Sequence, residues 1–303
     1  MDVAVTGSSG LIGSALGPAL ARAGHRMVPM VRSQGAKANR SGALGWDPDA
    51  GTIDAGGLEG IGAVVHLAGE NIGASRWNEA QKARIRDSRV KGTALLAQTL
   101  AKLANPPRVL ISASGINVYG DRGDEVVTEA SRPGEGFLAK VCKAWEAAAA
   151  PAEQAGIRVV HLRSGIVLSP AGGALEKMLT PFRLGLGGRL GSGAQWMSWI
   201  SIDDEVGAIV HLLGDGAPAG PVNATAPNPV TNADFSQALA RALRRPAVLP
   251  VPAPALRLLL GREMADELLL ASMRVLPTRL LDSGYAFRAP DLESALQRTL
   301  ANG

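Results

Sequence analysis

A glycine-rich turn, Thr6-Gly7-Ser8-Ser9-Gly10-Leu11-Ile12-Gly13, stands between a strand-like run, Val3-Ala-Val-Thr6, and an amphipathic helical pattern from Leu11 to Ala23. Few local patterns restrict a fold as much. Gly7 permits the tight turn, Gly10 lets the backbone approach a dinucleotide pyrophosphate, and Gly13 lets the helix pack closely on the sheet. The N-terminus of the helix, with unpaired N–H groups and the positive end of its dipole, then faces the phosphates. A glycine triplet alone is a weak signal, and its position after a strand and before a helix is what gives it weight. Thr6, Gly7, Gly10, Leu11, Ile12 and Gly13 are the expected cofactor contacts of this turn.

The same rhythm repeats downstream. Short apolar runs at Met27–Val31, Ala63–Leu67, Arg108–Ser112 and Arg158–Leu162 alternate with helical patterns at Asn78–Leu103 and Gly136–Ala155. Runs apolar on both faces, separated by helices, predict a parallel sheet with right-handed crossovers. The expected fold is therefore α/β, a Rossmann-type doubly wound parallel sheet with a smaller, mainly helical C-terminal substrate part. Past Gly165 the rhythm loosens: 170–193 reads as mostly loop with a short helix near Leu175–Phe182. A strand at Val222–Thr225, a helix at Ala233–Leu243 behind a Thr231-Asn232 cap, and a Leu-rich helical segment from Pro246, ending with Leu292–Leu300, follow. Residues 1–165 are expected to form the cofactor domain, with a returning segment near 197–226. Residues 166–196 and 227–303 make the substrate side, with a small C-terminal domain at about 247–300.

The end of the second strand bears on which dinucleotide is bound. A carboxylate there would hold the ribose 2′-hydroxyl of NAD, whereas an arginine accommodates the 2′-phosphate of NADP. The run ends Val31-Arg32-Ser33 without an acid, so Arg32 and NADP are expected, with NAD the lesser alternative. Composition removes other classes. One cysteine, Cys142, and four histidines give neither a disulfide framework nor metal-ligand spacing, so no metal is expected. No secretory signal precedes the first strand and no apolar run is long enough to span a bilayer, so a cytoplasmic protein without a membrane partner is expected. Net charge is +4, with Lys and Arg dispersed along the chain, which argues against nucleic acid as a partner and leaves a small molecule. The oligomeric state is not set by these features.

Longer motifs carry a family resemblance. His66-Leu67-Ala68-Gly69, Glu70-Asn71-Ile72, Arg76-Trp77, Ser88-Arg89, Trp145-Glu146 and Arg163-Ser164-Gly165-Ile166-Val167-Leu168 occur in order, followed by Trp199-Ile200-Ser201-Ile202-Asp203-Asp204 and Ala226-Pro227-Asn228-Pro229. With Ser114 beyond another strand, the chain resembles the extended short-chain dehydrogenases/reductases, in particular their atypical epimerase-family branch with a small C-terminal domain. The resemblance implies that Leu67, Ala68 and Gly69 lie along the cofactor, that Arg89 and Arg84 contact it, and that Ile166 and Val167 flank the nicotinamide. Arg84 and Arg89 are five residues apart on a predicted helix, about 140° around its axis, so Arg89 is the better placed if only one is used.

The resemblance also implies a catalytic serine, met by Ser114, together with a tyrosine and a lysine one helical turn later. If Trp145-Glu146 is aligned on the glutamate that follows that lysine, Leu138 and Cys142 occupy the two positions, and neither moves protons as a Tyr–Lys pair does. Lys140 and Lys143 do not share the required face. Two functions are expected from this pattern: an NADP(H)-dependent oxidoreductase or epimerase-like enzyme acting on a small molecule, or a cofactor-binding sensor or assembly protein with little or no turnover.

Overall fold

A computed structural model describes residues 1–32 and 42–301. Ser33, at the expected end of the second strand, lies outside the described residues. In chain order the elements are β1 (Asp2–Thr6), α1 (Leu11–Arg22), β2 (Arg26–Arg32), β3 (Leu44–Asp47), β4 (Thr52–Ile53), α2 (Ala55–Leu58), β5 (Ala63–His66), α3 (Glu79–Leu100), β6 (Val109–Gly115) and β7 (Val126–Val127). After these come α4 (Phe137–Ala147), α5 (Ala150–Gln154), β8 (Arg158–Ser164), β9 (Ile166–Leu168), α6 (Gly173–Arg183), β10 (Trp196–Met197), β11 (Trp199–Ser201), α7 (Ile202–Leu212) and β12 (Gly220–Ala224). The C-terminal part holds β13 (Val230–Thr231), α8 (Asn232–Leu243), α9 (Ala253–Leu260), α10 (Arg262–Ala265), a π turn (Asp266–Leu270), β14 (Arg274–Val275), α11 (Thr278–Asp282) and α12 (Leu292–Ala301).

Among the described residues eight strands form the central sheet in the order β12-β8-β6-β5-β1-β2-β3-β4, parallel except for the β3–β4 hairpin at one edge. Each strand sends alternate residues to opposite layers, as a period of two requires. Val3, Val5, Val65, Ile111 and Leu162 pack under α1 and α7, whose Leu16, Leu20 and Ile209 complete that layer. Ala4, Val28, Met30, Val64 and Leu110 pack on the other face against Leu96 and Leu100 of α3. A separate core around Trp199 and Phe235 joins α6, α8 and α12, and it makes the C-terminal part.

The expected helix over Gly136–Ala155 is two helices, because Pro151 lacks the N–H that would carry α4 through into α5. The Leu-rich run from Pro246 is likewise broken into the short α9, α10 and α11, with Gly261 at φ +89° between the first two. Strands β3 and β4 are four and two residues long, and although Leu44 and Trp46 of β3 alternate inward, so short a pattern did not mark a strand in the sequence. Caps follow side-chain chemistry: Thr231 Oγ1 accepts from the Asp234 amide at 3.2 Å and Ser201 Oγ from the Asp204 amide at 3.0 Å.

Candidate cofactor site and the place of the proton relay

The strand order reverses direction beside β1, whose neighbours are β2 on one side and β5 on the other, and a crevice at such a switch point is where α/β sheets hold ligands. The glycine turn leaves β1 there. Gly7 has φ +66°, and a Cβ on it would meet the backbone of Leu67 and Ala68 at 3.0 Å. At Gly13 a Cβ would stand 2.2 Å from the Gly7 carbonyl oxygen, which no side chain survives. Gly10 differs: its φ is −77°, and its missing Cβ would approach only the Gly7 oxygen, at 3.2 Å. The open side of Gly10 is the side from which a phosphate would approach. Helix α1 has no side-chain cap and no acidic residue in its first turn, so its first N–H groups and its dipole are left for an anion.

The second turn is stapled to the first. Thr6 Oγ1 accepts from the amides of Leu67 (3.1 Å) and Ala68 (3.2 Å), so its own hydrogen goes to His66 Nδ1, 2.7 Å away. His66 is fully buried, and desolvation pushes it down to about 4, which keeps it neutral as an acceptor. The motif Ser88-Arg89 holds the continuation of this turn: Ser88 Oγ accepts from the Glu70 amide at 3.0 Å, and Arg89 donates to the Glu70 carbonyl at 2.9 Å. The Arg89 guanidinium also lies 4.9 Å from the Trp145 ring, and burial lowers its pKa.

The expected contact residues are therefore spread unevenly around the switch point. Thr6 and Leu67–Gly69 meet at its centre, with Arg89 against Gly69, where a Cβ would lie 3.3 Å from the guanidinium carbon. Leu11 and Ile12 open α1, half-buried, and the Leu11 side chain reaches Gly172 and Gly173. Ile166 and Val167 lie on β9, half-buried, with Val167 packed against the layer that holds Val3 and Val5. Arg32 is exposed at the end of β2, with the Asp49 carboxylate 3.9 Å away. Arg84 is exposed and bonded to Gln81 of its own helix.

The two positions that the resemblance aligns with a tyrosine and a lysine are packed shut. Leu138 and Cys142 are both buried on α4. Burial, followed by the charge of Glu146, pushes the Cys142 thiol up to about 11, and Arg89 opposes this only in part. Ser114 is held as well, since its Oγ donates to Glu146 Oε1 at 2.7 Å. Burial works against the Glu146 charge, yet two N–H bonds from Arg163, both 2.8 Å, hold its carboxyl below the usual range. Arg163 donates onward to the hydroxyl of Tyr119 (2.9 Å), which donates to Asn223 (2.7 Å). Tyr119 is fully buried in this chain of bonds and does not face a cleft.

Glu146 and Arg163 were quoted as motif residues, but their partnership with Ser114 joins α4, β8 and β6 and has no sequence signal. Glu267 carries no sequence signal of its role. Its carboxylate caps α4 across the fold, accepting from the amides of Phe137 (2.7 Å) and Leu138 (2.8 Å). The two tryptophans near residue 200 also separate: Trp199 is fully buried in the C-terminal core, while Trp196 bonds Asp124 and stacks under Arg274. Lys140 and Lys143 are exposed. Among the described residues no helix is long and apolar enough to cross a membrane, and no cluster of His, Cys, Asp and Glu has the makings of a metal site.

The sheet order and the glycine turn at its switch point define a Rossmann-type protein with a second, mainly helical part. The chain belongs to the NAD dependent epimerase/dehydratase family, whose profile matches residues 3–224. Residues 251–299 match a domain of unknown function, DUF1731. An epimerase family protein of Mycobacterium tuberculosis, MT2273, is 47% identical over 97% of this chain and 96% of its own. The human epimerase family protein SDR39U1, crystallised with NADPH, superposes with a TM-score of 0.91 at 36% identity, each chain covered in full. A nucleoside-diphosphate sugar epimerase from Corynebacterium glutamicum matches with a TM-score of 0.80 at 38% identity, over the whole of this chain and 58% of that one.

Proposed function

We propose that this chain is an NADP(H)-binding protein in which the proton relay usual for short-chain dehydrogenases/reductases has been replaced by packing and a buried ion pair. The observation that carries the reading is the state of α4 and β6: Leu138 and Cys142 are buried, and the Ser114 hydrogen is committed to Glu146. A hydroxyl that already donates to a carboxylate does not at the same moment donate to a substrate oxygen, and a thiol pushed up to about 11 does not exchange protons near neutrality. The cofactor half of the reading is supported by the uncapped α1, the glycine contacts and the NADPH in the crystals of SDR39U1. Thr6, Gly7, Gly10, Leu11, Ile12 and Gly13 would hold the pyrophosphate, Arg32 the 2′-phosphate, Leu67–Gly69 and Arg89 the central stretch, and Ile166 and Val167 the nicotinamide. NADP(H), when bound, supplies a hydride, and this chain supplies its position.

Calorimetric titration with NADPH and NADH tests the binding half. Arg32→Ala is expected to weaken NADPH by about 1.5–3 kcal/mol, the worth of a charge-assisted contact, and to leave NADH nearly unchanged. Equal losses would take the 2′-phosphate away from Arg32. The catalytic half is tested by following NADPH absorbance across a panel of carbonyl and alcohol substrates, in which no turnover above background is expected. A second reading, an oxidoreductase acting on a small molecule, is favoured by one fact: Ser114 still stands at the C-terminal end of β6, where the superfamily places its serine. Turnover that falls about 10²–10⁴-fold in Ser114→Ala would establish that reading over the first.

A further inference from the structure

Two long stretches of this chain contain no carboxylate. Between Glu176 and Asp203 the ionisable cations are Lys177, Arg183 and Arg189, and between Asp234 and Glu263 they are Arg241, Arg244, Arg245, Arg257 and Arg262. The fold lays these stretches side by side. The Leu249 amide donates to the Gly187 carbonyl (3.3 Å), the Val251 amide to Arg189 (2.9 Å), and the Gly191 amide returns to Val251 (2.9 Å). Leu190 and Val251 pair as a parallel bridge.

Along this seam large aliphatic side chains point into water. Val248 is 70% exposed and Leu184 69%, with Leu186 and Leu249 also exposed beside them. Helix α9 continues from the seam, buries only Leu256, and leaves Leu258 81% exposed with Leu259 next to it. Scattered apolar residues on a surface need no explanation, but four on one paired seam and two on the helix that leaves it do. Directly beside Val248, at the end of α8, Arg241, Arg244 and Arg245 line a depression of about 420 Å³. Arg241 pairs with Glu293, and Arg257 and Arg262 with Asp266, whereas Arg183, Arg189, Arg244 and Arg245 pair with no carboxylate among the described residues.

We infer that this seam docks on a membrane surface rich in anionic phospholipid, the arginines meeting headgroup phosphates and the leucines entering the acyl boundary. A second copy of the chain fits poorly, because a two-fold contact would set one acid-free, cationic face against another. A folded protein partner fits less well than a lipid surface, because the seam offers protruding leucines and a valine and no aromatic anchor for a complementary pocket. A lipid surface needs no fixed complementarity and takes apolar side chains with a cationic surround.

Flotation of the full chain with vesicles tests it. At low ionic strength the protein is expected to float with vesicles of phosphatidylglycerol and phosphatidylcholine, to be released by 0.5 M salt (roughly a 4 Å screening length), and to ignore pure phosphatidylcholine. Arg244→Gln with Arg245→Gln is expected to weaken binding on the order of 25-fold, about fivefold per cation. Val248→Asp with Leu184→Asp should also lose binding with the arginines intact. All four positions are exposed, so unchanged circular dichroism and thermal midpoint are the check on folding. Absence of flotation with anionic vesicles, or flotation that both double variants retain, would overturn the inference. So would light scattering that shows a dimer dissolved by Val248→Asp with Leu184→Asp and no vesicle binding, which would assign the seam to a second copy.

Discussion

The three glycines of the first turn have different physical jobs, and substitution should separate them. Gly13 faces backbone at 2.2 Å, so Gly13→Ala forces α1 away from the turn and is expected to cost about 1–3 kcal/mol of stability besides abolishing dinucleotide binding. Gly10 has an ordinary φ and one close neighbour, the Gly7 carbonyl oxygen at 3.2 Å, so Gly10→Val is expected to cost less stability than Gly13→Ala, about 1 kcal/mol, while abolishing binding, because the branched side chain occupies the phosphate's approach. Urea unfolding and NADPH titration of the two variants check this, and retained binding in a folded Gly10→Val would place the pyrophosphate elsewhere. The roles of Gly7 and Gly13 were legible in the spacing because they are local. The staple through Thr6 was not, since its partners are His66 at the end of β5 and Leu67 and Ala68 in the turn after it, and only sheet pairing brings them together.

Between elements, the buried ionisable groups set a pH dependence of stability. Glu205 on α7 is fully buried with one oxygen bonded by Ser164 (2.6 Å) and the other unpartnered, and burial pushes its carboxyl from 4.5 up to about 7. Between those values the unfolded chain releases a proton that the folded chain keeps, so stability falls as pH rises from about 4.5 to about 7, by about 3 kcal/mol. His66, held down at about 4 against 6.5, works the other way, and its contribution grows over nearly the same range. The wild-type contributions of these two groups nearly cancel. Glu205→Gln removes one of them, so its stability is expected to exceed wild type by about 3 kcal/mol at pH 8 and to match it near pH 4, with a rise between pH 4 and 6.5 that the wild type lacks. Denaturant unfolding at these pH values checks the sign, and parallel profiles for the two proteins would show that Glu205 titrates normally. The acidic run Asp203-Asp204-Glu205 reads from sequence as helix capping and dipole compensation, and only the depth of α7 under the sheet reveals that two of its members are buried.

Across the whole molecule, Asp204 ties the C-terminal chain to the cofactor half. Its carboxylate accepts from Ser201 Oγ (2.8 Å), the Tyr285 hydroxyl (3.1 Å) and the amides of Arg288 (2.7 Å) and Ala289 (3.1 Å). Asp204→Ala leaves those buried donors without an acceptor and is expected to cost roughly 3 kcal/mol or more. Hydrogen exchange should localise the loss to residues 284–301, and uniform destabilisation without faster exchange there would show that the anchor is not specific.

The parallel sheet, most of its helices and the glycine turn could be read from the sequence, because apolar period and glycine placement are properties of neighbouring residues. What the chain order could not convey is anything made by residues on different elements of the fold. Ser114 tied to Glu146 and Arg163, Glu267 capping α4 from 130 residues away, and two acid-free segments laid into one cationic, leucine-studded seam all depend on contacts between distant segments. In sequence those cations are dispersed, and dispersion along a chain places no limit on proximity in a fold.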